Sequence, residues 1–151
     1  MLAYRIADGR FPVYSGEGAA RFGARWNSVG HAVIYAASSY SGAVLEVLAH
    51  SQSGDVPKHQ AMVEITIPAS ITAETLSPAK LPGWDSEDMA VARAFGDAWL
   101  EQQRSAVVLV PGMVTQGRES NVLINPAHPD FRLIRPSKPQ LVKWDVRLFK
   151  K

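Results

Sequence analysis

The chain contains no cysteine, and this absence removes disulfide frameworks, thiolate nucleophiles and cysteine-based zinc or iron–sulfur sites. It fits a reducing compartment. No apolar run approaches the roughly 20 residues of a membrane-spanning helix. Met1-Leu2-Ala3-Tyr4-Arg5 lacks the basic segment and long apolar stretch of a secretory signal. The expected location is the cytoplasm, without membrane contact. The signatures of familiar enzymes are also missing: no Gly-x-x-x-x-Gly-Lys-Ser/Thr loop, no Gly-x-Ser-x-Gly turn, no His-Glu-x-x-His helix. Gly16-Glu17-Gly18 is too short for a dinucleotide fingerprint. His31, His50, His59 and His128 are not spaced as metal ligands, so no metal is expected.

What is present describes an ordinary globular chain. With 151 residues, 46% hydrophobic and 20% charged, one core can form and a second domain has no room, so residues 1–151 are expected to be one domain. Net charge is +2, unevenly distributed. Phe131 to Lys151 holds seven basic residues (Arg132, Arg135, Lys138, Lys143, Arg147, Lys150, Lys151) against one acid, Asp145. Such a stretch could meet an acidic partner or nucleic acid, or could be a solvated edge strand protected by lysines. Direct nucleic-acid binding is not expected.

Phe11 to Gly30 carries four glycines and no regular period, and reads as loop with at most a helical turn near Ala19 to Phe22. Ala32 to Ala36 reads as a buried strand. Ser38, Ser39 and Ser41 are N-cap candidates for a helix running to about His50, with Ala43, Val44, Val47 and Leu48 on its apolar side. Met62 to Ile67 predicts a half-buried strand closed by Pro68. A second helix is expected to be capped by Asp85 or Ser86, with Glu87 and Asp88 in its first turn and Met89, Ala92, Phe95, Ala98 and Trp99 as its stripe. Ala106 to Val110 predicts a strand ended by Pro111-Gly112, and further strands are expected at Asn121 to Ile124, Phe131 to Ile134 and Asp145 to Phe149. Strands in runs, without a βαβ rhythm, indicate the α+β class.

Three places could carry chemistry. Gly23-Ala24-Arg25-Trp26-Asn27 sets an arginine, an aromatic and an amide in a glycine-bounded loop, and the planar fork of arginine suits phosphate. The same residues also describe a surface ion pair beside a tryptophan core plug. Glu46 lies in the apolar run Ala43-Val44-Leu45-Glu46-Val47-Leu48-Ala49, so it either faces solvent or is held inward by partners. Tyr35 and Arg25 lie on the two preceding elements. Tyr35 can equally be a core aromatic with a wet hydroxyl. Asn121 and Asn125 alternate onto one face of a strand, where turn-edge hydrogen bonding is the competing role.

In order and spacing, these residues resemble the RES family, the toxin half of RES–Xre toxin–antitoxin pairs. The resemblance runs from Tyr4-Arg5-Ile6 through Gly23-Ala24-Arg25-Trp26-Asn27, Gly30, Val33-Ile34-Tyr35 and Ala43 to His50. It resumes at Gly96-Asp97-Ala98-Trp99-Leu100, Val110-Pro111 and Asn121 to Pro129. It implies a compact single domain similar to ADP-ribosyltransferase toxins, with a mixed β-sheet core and flanking helices, binding NAD⁺ as substrate. By the same resemblance Arg5 and Arg25 hold phosphates or ribose, Tyr35 packs on the nicotinamide, Glu46 is the catalytic carboxylate, and Asn121 joins the NAD⁺ contacts. An Xre-type antitoxin is the implied partner. Most members carry serine after the Val-Pro pair, whereas this chain has Gly112; Ser120 is expected to compensate.

The implied activity is cleavage of the nicotinamide–ribose bond, by water or phosphate. A second reading is transfer of ADP-ribose to a cellular protein. A third, of another class, is an inactive RES-like binding module using its basic C-terminal stretch. Cleavage needs no metal, because nicotinamide leaves as a neutral base, and a fixed carboxylate can stabilise the oxocarbenium-like sugar left behind.

Overall fold

The computed structural model describes residues 1–149, so Lys150 and Lys151 of the basic stretch lie outside the described residues. Leu2–Asp8 forms a strand, β1, that the sequence pattern does not announce. Arg5 shares one face with the core residues Ala3 and Ala7, and Tyr4 and Ile6 take the other, so its residues do not alternate between apolar and polar. The other strands are β2 (Ile34–Ala37), β3 (Gln60–Thr66), β4 (Glu74–Thr75), β5 (Val107–Pro111), β6 (Ser120–Ile124), β7 (Arg135–Pro136) and β8 (Gln140–Leu141). The helices are α1 (Glu17–Phe22), α2 (Tyr40–His50) and α3 (Ala90–Glu101).

The strands make one mixed sheet in the order β4-β5-β6-β2-β1-β3-β7, with β8 also on β3. Only β4 and β5 run parallel among the described pairs. This is the α+β arrangement expected. Alternation divides the core into two layers. One holds Ala3, Ile34, Val63, Ile65, Val107, Val122 and Ile124, covered by loops and by the stacked pair Tyr14 and Phe131, 5.5 Å apart. The other holds Val33, Val108, Val110 and Leu123 under Trp99 and Ala92 of α3. Helix α2 lies on this second face too: its Tyr40 meets Tyr4 edge-on, and its Glu46 reaches Asn121, two residues from Leu123.

Ser39 caps α2, accepting from the Gly42 amide at 3.0 Å. Helix α3 departs from expectation. It starts at Ala90, not beside Asp85 or Ser86, and Met89 before it adopts φ +60°. Asp88 accepts from the Ala90 amide at 3.0 Å, while Glu87 and Asp88 stay outside the helix. The strand expected at Phe131 to Ile134 is a 3₁₀ turn over Pro129–Leu133, because the His128 ring accepts from the Asp130 amide at 3.1 Å. The strand expected from Asp145 is a 3₁₀ turn over Val146–Phe149, opened by Asp145 accepting from the Arg147 amide at 2.9 Å. In both places a local side-chain bond captures the backbone before a ladder can. The basic stretch does form edge: β7 and β8 are two-residue, exposed strands on the outside of β3. Among the described residues, no helix is long and apolar enough to cross a membrane.

Candidate active site

Strands β1 and β2 pair at a single point, Tyr4 opposite Ala37, and the site exists because they part beyond it. Alternation sends the Arg5 side chain to the face of Ala3 and Ala7, and its guanidinium turns into the split. There Nη1 donates to the Tyr35 carbonyl at 2.8 Å and Nε to the Val13 carbonyl at 2.6 Å. Burial lowers its pKa from the ordinary arginine value. No carboxylate is within ion-pair distance of Arg5 or Arg25 among the described residues.

The loop holding Arg25 is fixed from three sides. Arg25 Nη1 donates to the carbonyls of Ser86 at 2.9 Å and Trp84 at 3.2 Å, so it is neither in a surface ion pair nor free to swing. Trp26 is buried, stacked with Trp84 and edge-on to Phe95. Asn27, 0% exposed, spends its amide on the carbonyls of Ala19, His31 and Ser28 at 2.8, 3.0 and 3.1 Å. Its Oδ1 accepts from the Tyr35 hydroxyl at 2.7 Å, and that hydroxyl accepts from the Trp26 amide at 3.1 Å. The Asp97 carboxylate takes the amide of Ser28 at 2.8 Å and its hydroxyl as well.

The Tyr35 hydroxyl is thus committed in both directions, which leaves its ring to face the cleft. Burial pushes its pKa above the ordinary phenol value, and burial pushes Tyr14 up to about 12. A phenol whose folded pKa exceeds its unfolded value of about 10 favours the native state below that pH, and this contribution is lost as pH climbs toward the folded value. The melting temperature is therefore expected to fall from about pH 10 upward, and less steeply in Tyr35→Phe. A melting temperature flat to pH 12 would contradict this.

Across the cleft stands Glu46, whose Oε1 accepts from Asn121 Nδ2 at 2.9 Å. Of its two possible orientations it takes the inward one, with an amide as partner. Asn121 is on β6 opposite Ala37, so β6, β2 and β1 carry the cleft floor side by side. The space is about 1060 Å³ and is lined by all five residues expected from the sequence, Arg5, Arg25, Tyr35, Glu46 and Asn121. Tyr4, Met89, Met113 and His50 line it too, and carried no individual site role in the sequence reading. Asn27 was legible as an amide in a glycine-bounded loop, but its clasp on Tyr35 was not. Asn125 lies 1% exposed outside this cleft.

Gly112 and Ser120 correct one expectation. A Cβ on Gly112 would stand 3.5 Å from Asn121 Oδ1, so position 112 abuts the amide that holds Glu46. Ser120 precedes Asn121 on β6, so its side chain leaves from the opposite face and does not line the cleft. It cannot stand in for a side chain at 112. Among the described residues no group of three or more histidine or acidic side chains is placed to hold a metal ion.

The model of the RES domain family matches residues 2–145. The chain belongs to the RES domain family. It is 43% identical over 141 residues to the Prs ADP-ribosylating toxin of Sphingobium sp. (strain YBL2), covering 91% of this chain and 87% of that protein. It is 37% identical over 153 residues to Toxin Res of Yersinia enterocolitica, covering 98% and 99%. A chain in the crystal structure of the Mycobacterium tuberculosis MbcT–MbcA toxin–antitoxin complex superposes with a TM-score of 0.69 at 21% identity, over 92% of this chain and 82% of that one. This RES domain thus shares the fold of that chain.

Proposed function

We propose that this RES domain is a toxin that uses NAD⁺ as substrate and cleaves its nicotinamide–ribose bond. One observation carries the reading. A carboxylate anchored by an amide, Glu46 on Asn121, shares a cleft with two guanidinium groups that have no carboxylate partner, Arg5 and Arg25. A partly buried cation without a counter-ion attracts an anion, so such a cleft favours an anionic ligand. A dinucleotide brings that anion in its pyrophosphate, and a sugar that turns cationic as nicotinamide leaves. Arg25 suits the first and Glu46 the second, while the ring of Tyr35 offers a face to the nicotinamide. In this reading the bond from ribose C1′ to the pyridine nitrogen breaks, nicotinamide departs neutral, and an acceptor closes on C1′.

The names of the Sphingobium and Yersinia relatives support a toxin, and the first supports ADP-ribose chemistry. An antitoxin, of the Xre type, is the proposed partner, and the cytoplasm the proposed location. The test is purified protein with NAD⁺ labelled in the adenosine half, following nicotinamide release and the fate of the label. Free ADP-ribose or its phosphate marks breakdown; label on a protein band of a lysate marks transfer. Absence of nicotinamide from both reactions ends the reading.

Arg25→Lys keeps a charge and loses the fork. Charge-assisted hydrogen bonds contribute about 1.5–3 kcal/mol each, so KM for NAD⁺ is expected to rise about tenfold or more with kcat largely kept. An unchanged KM would remove Arg25 from substrate binding.

A further inference from the structure

Helix α2 carries a second chemical group on the face that bears Glu46. His50 is one turn on, at i+4, where side chains are about 5–6 Å apart at Cβ. Its Nδ1 is 2.8 Å from the Glu46 carbonyl oxygen. A carbonyl can only accept, so Nδ1 carries the hydrogen, and in the neutral ring Nε2 is left with its lone pair. Nε2 makes no hydrogen bond among the described residues, and the ring is exposed on the cleft wall. A histidine at a helix end commonly caps a carbonyl; this one also presents a proton acceptor on the wall of the cleft that Glu46 lines.

We propose that His50 is the general base that takes the proton of the attacking nucleophile, and that the second substrate of this site is therefore a neutral O–H nucleophile rather than an anion. This rests on the NAD⁺ reading above. The C1′–N bond breaks with its electron pair going to nicotinamide. An oxygen lone pair forms the C1′–O bond, and the O–H proton passes to Nε2. NAD⁺ and ROH give nicotinamide, the ADP-ribosyl O-glycoside (free ADP-ribose where ROH is water), and one proton that the imidazolium returns to solvent. The remaining charged and titratable groups lining the cleft are Arg5, Arg25, Glu46, Tyr4 and Tyr35. The arginines are cations, Glu46 faces the sugar, and the Tyr35 hydroxyl is occupied. His50 combines an open lone pair with a place on the helix of Glu46.

The experiment compares the full chain with His50→Gln and His50→Asn, following nicotinamide release in buffer and again with sodium azide. Azide is a nucleophile with no proton to remove. In buffer both variants are expected to lose about 10²-fold, the lower range for a general base. With azide they return to within a few-fold of the unsubstituted chain, and the azide adduct of ADP-ribose forms. Hydrolysis unchanged in the variants overturns the proposal. So does a loss that azide fails to restore, which would mark the ring as only a prop for the helix end. If the unsubstituted chain releases no nicotinamide, the NAD⁺ reading itself has failed, and this proposal with it. Should release proceed while only His50 variants match it, the NAD⁺ reading stands and the base is elsewhere. Label appearing on a lysate protein, with the same azide pattern, identifies the hydroxyl as a protein's rather than water's.

Discussion

Glu46→Gln is expected to lower nicotinamide release by about 10²–10³-fold at saturating NAD⁺, the usual cost of removing one preorganised electrostatic group. The substitution is chosen for what it keeps. Glutamine has the same shape, and its Oε1 can still accept from Asn121 Nδ2, a bond of 2.9 Å in the structure. Position 46 is only partly buried on a helix held mainly by Gly42 and Ala43, so the melting temperature should not move. The effect then isolates the negative charge. Because that charge opposes a positive charge absent from a neutral sugar, kcat should fall with little change in KM. Release equal to that of the unsubstituted chain would show that the carboxylate has no part in the chemistry. A rise in KM alone would move Glu46 to a binding role.

The largest structural effect is expected at Gly96. Helix α3 crosses the Arg25 loop so closely that a Cβ on Gly96 would stand 1.7 Å from the Trp26 carbonyl oxygen and 2.7 Å from its carbon. The obstacle is backbone, pinned by the Trp26 ring and by Asn27, and it has no flexible end to turn aside. Gly96→Ala would by helix propensity alone stabilise α3 by about 1 kcal/mol. The forced separation acts the other way and exceeds it, at about 3 kcal/mol or more, the upper range for overpacking. Net of the propensity gain about 2 kcal/mol or more remains, which for a chain of this size corresponds to a fall of roughly 4–8 °C in melting temperature. Nicotinamide release should fall as well, because the Trp26 amide that holds the Tyr35 hydroxyl moves with the loop. A melting temperature equal to or above that of the unsubstituted chain would mean the crossing is not as tight as described.

These two predictions draw on residues of different legibility. Glu46 could be singled out because a carboxylate in an apolar helical run needs a reason, and the run itself is in the sequence. Gly96 could not. A glycine inside a helical pattern signals a close approach only once the approaching segment is known, and Trp26 is seventy positions earlier. The same difference separates Ser39, correctly among the serine caps of α2, from Asp85 and Ser86. The latter lie in a turn whose backbone carbonyls are taken up by Arg25, and α3 begins after it. Phe131 to Ile134 and Asp145 to Phe149 look like strands by composition. In each a side chain, His128 before the first and Asp145 at the start of the second, accepts from the backbone and opens a 3₁₀ turn instead.

By itself the sequence determined the fold class, strands β2, β3, β5 and β6, helix α2 and most of α3, and the family, since apolar periodicity, turn residues and ordered motifs are local properties of a chain; the central strand β1 it left unmarked. It also supplied five of the residues that line the cleft. Only the tertiary structure decided how they meet. The single pairing of Tyr4 with Ala37 opens β1 from β2, the Arg5 guanidinium fills the gap, and β6 brings Asn121 to Glu46 across seventy-five positions. Strand register and the angle at which a helix crosses a loop are set by contacts between distant segments, and no window along the chain contains both partners.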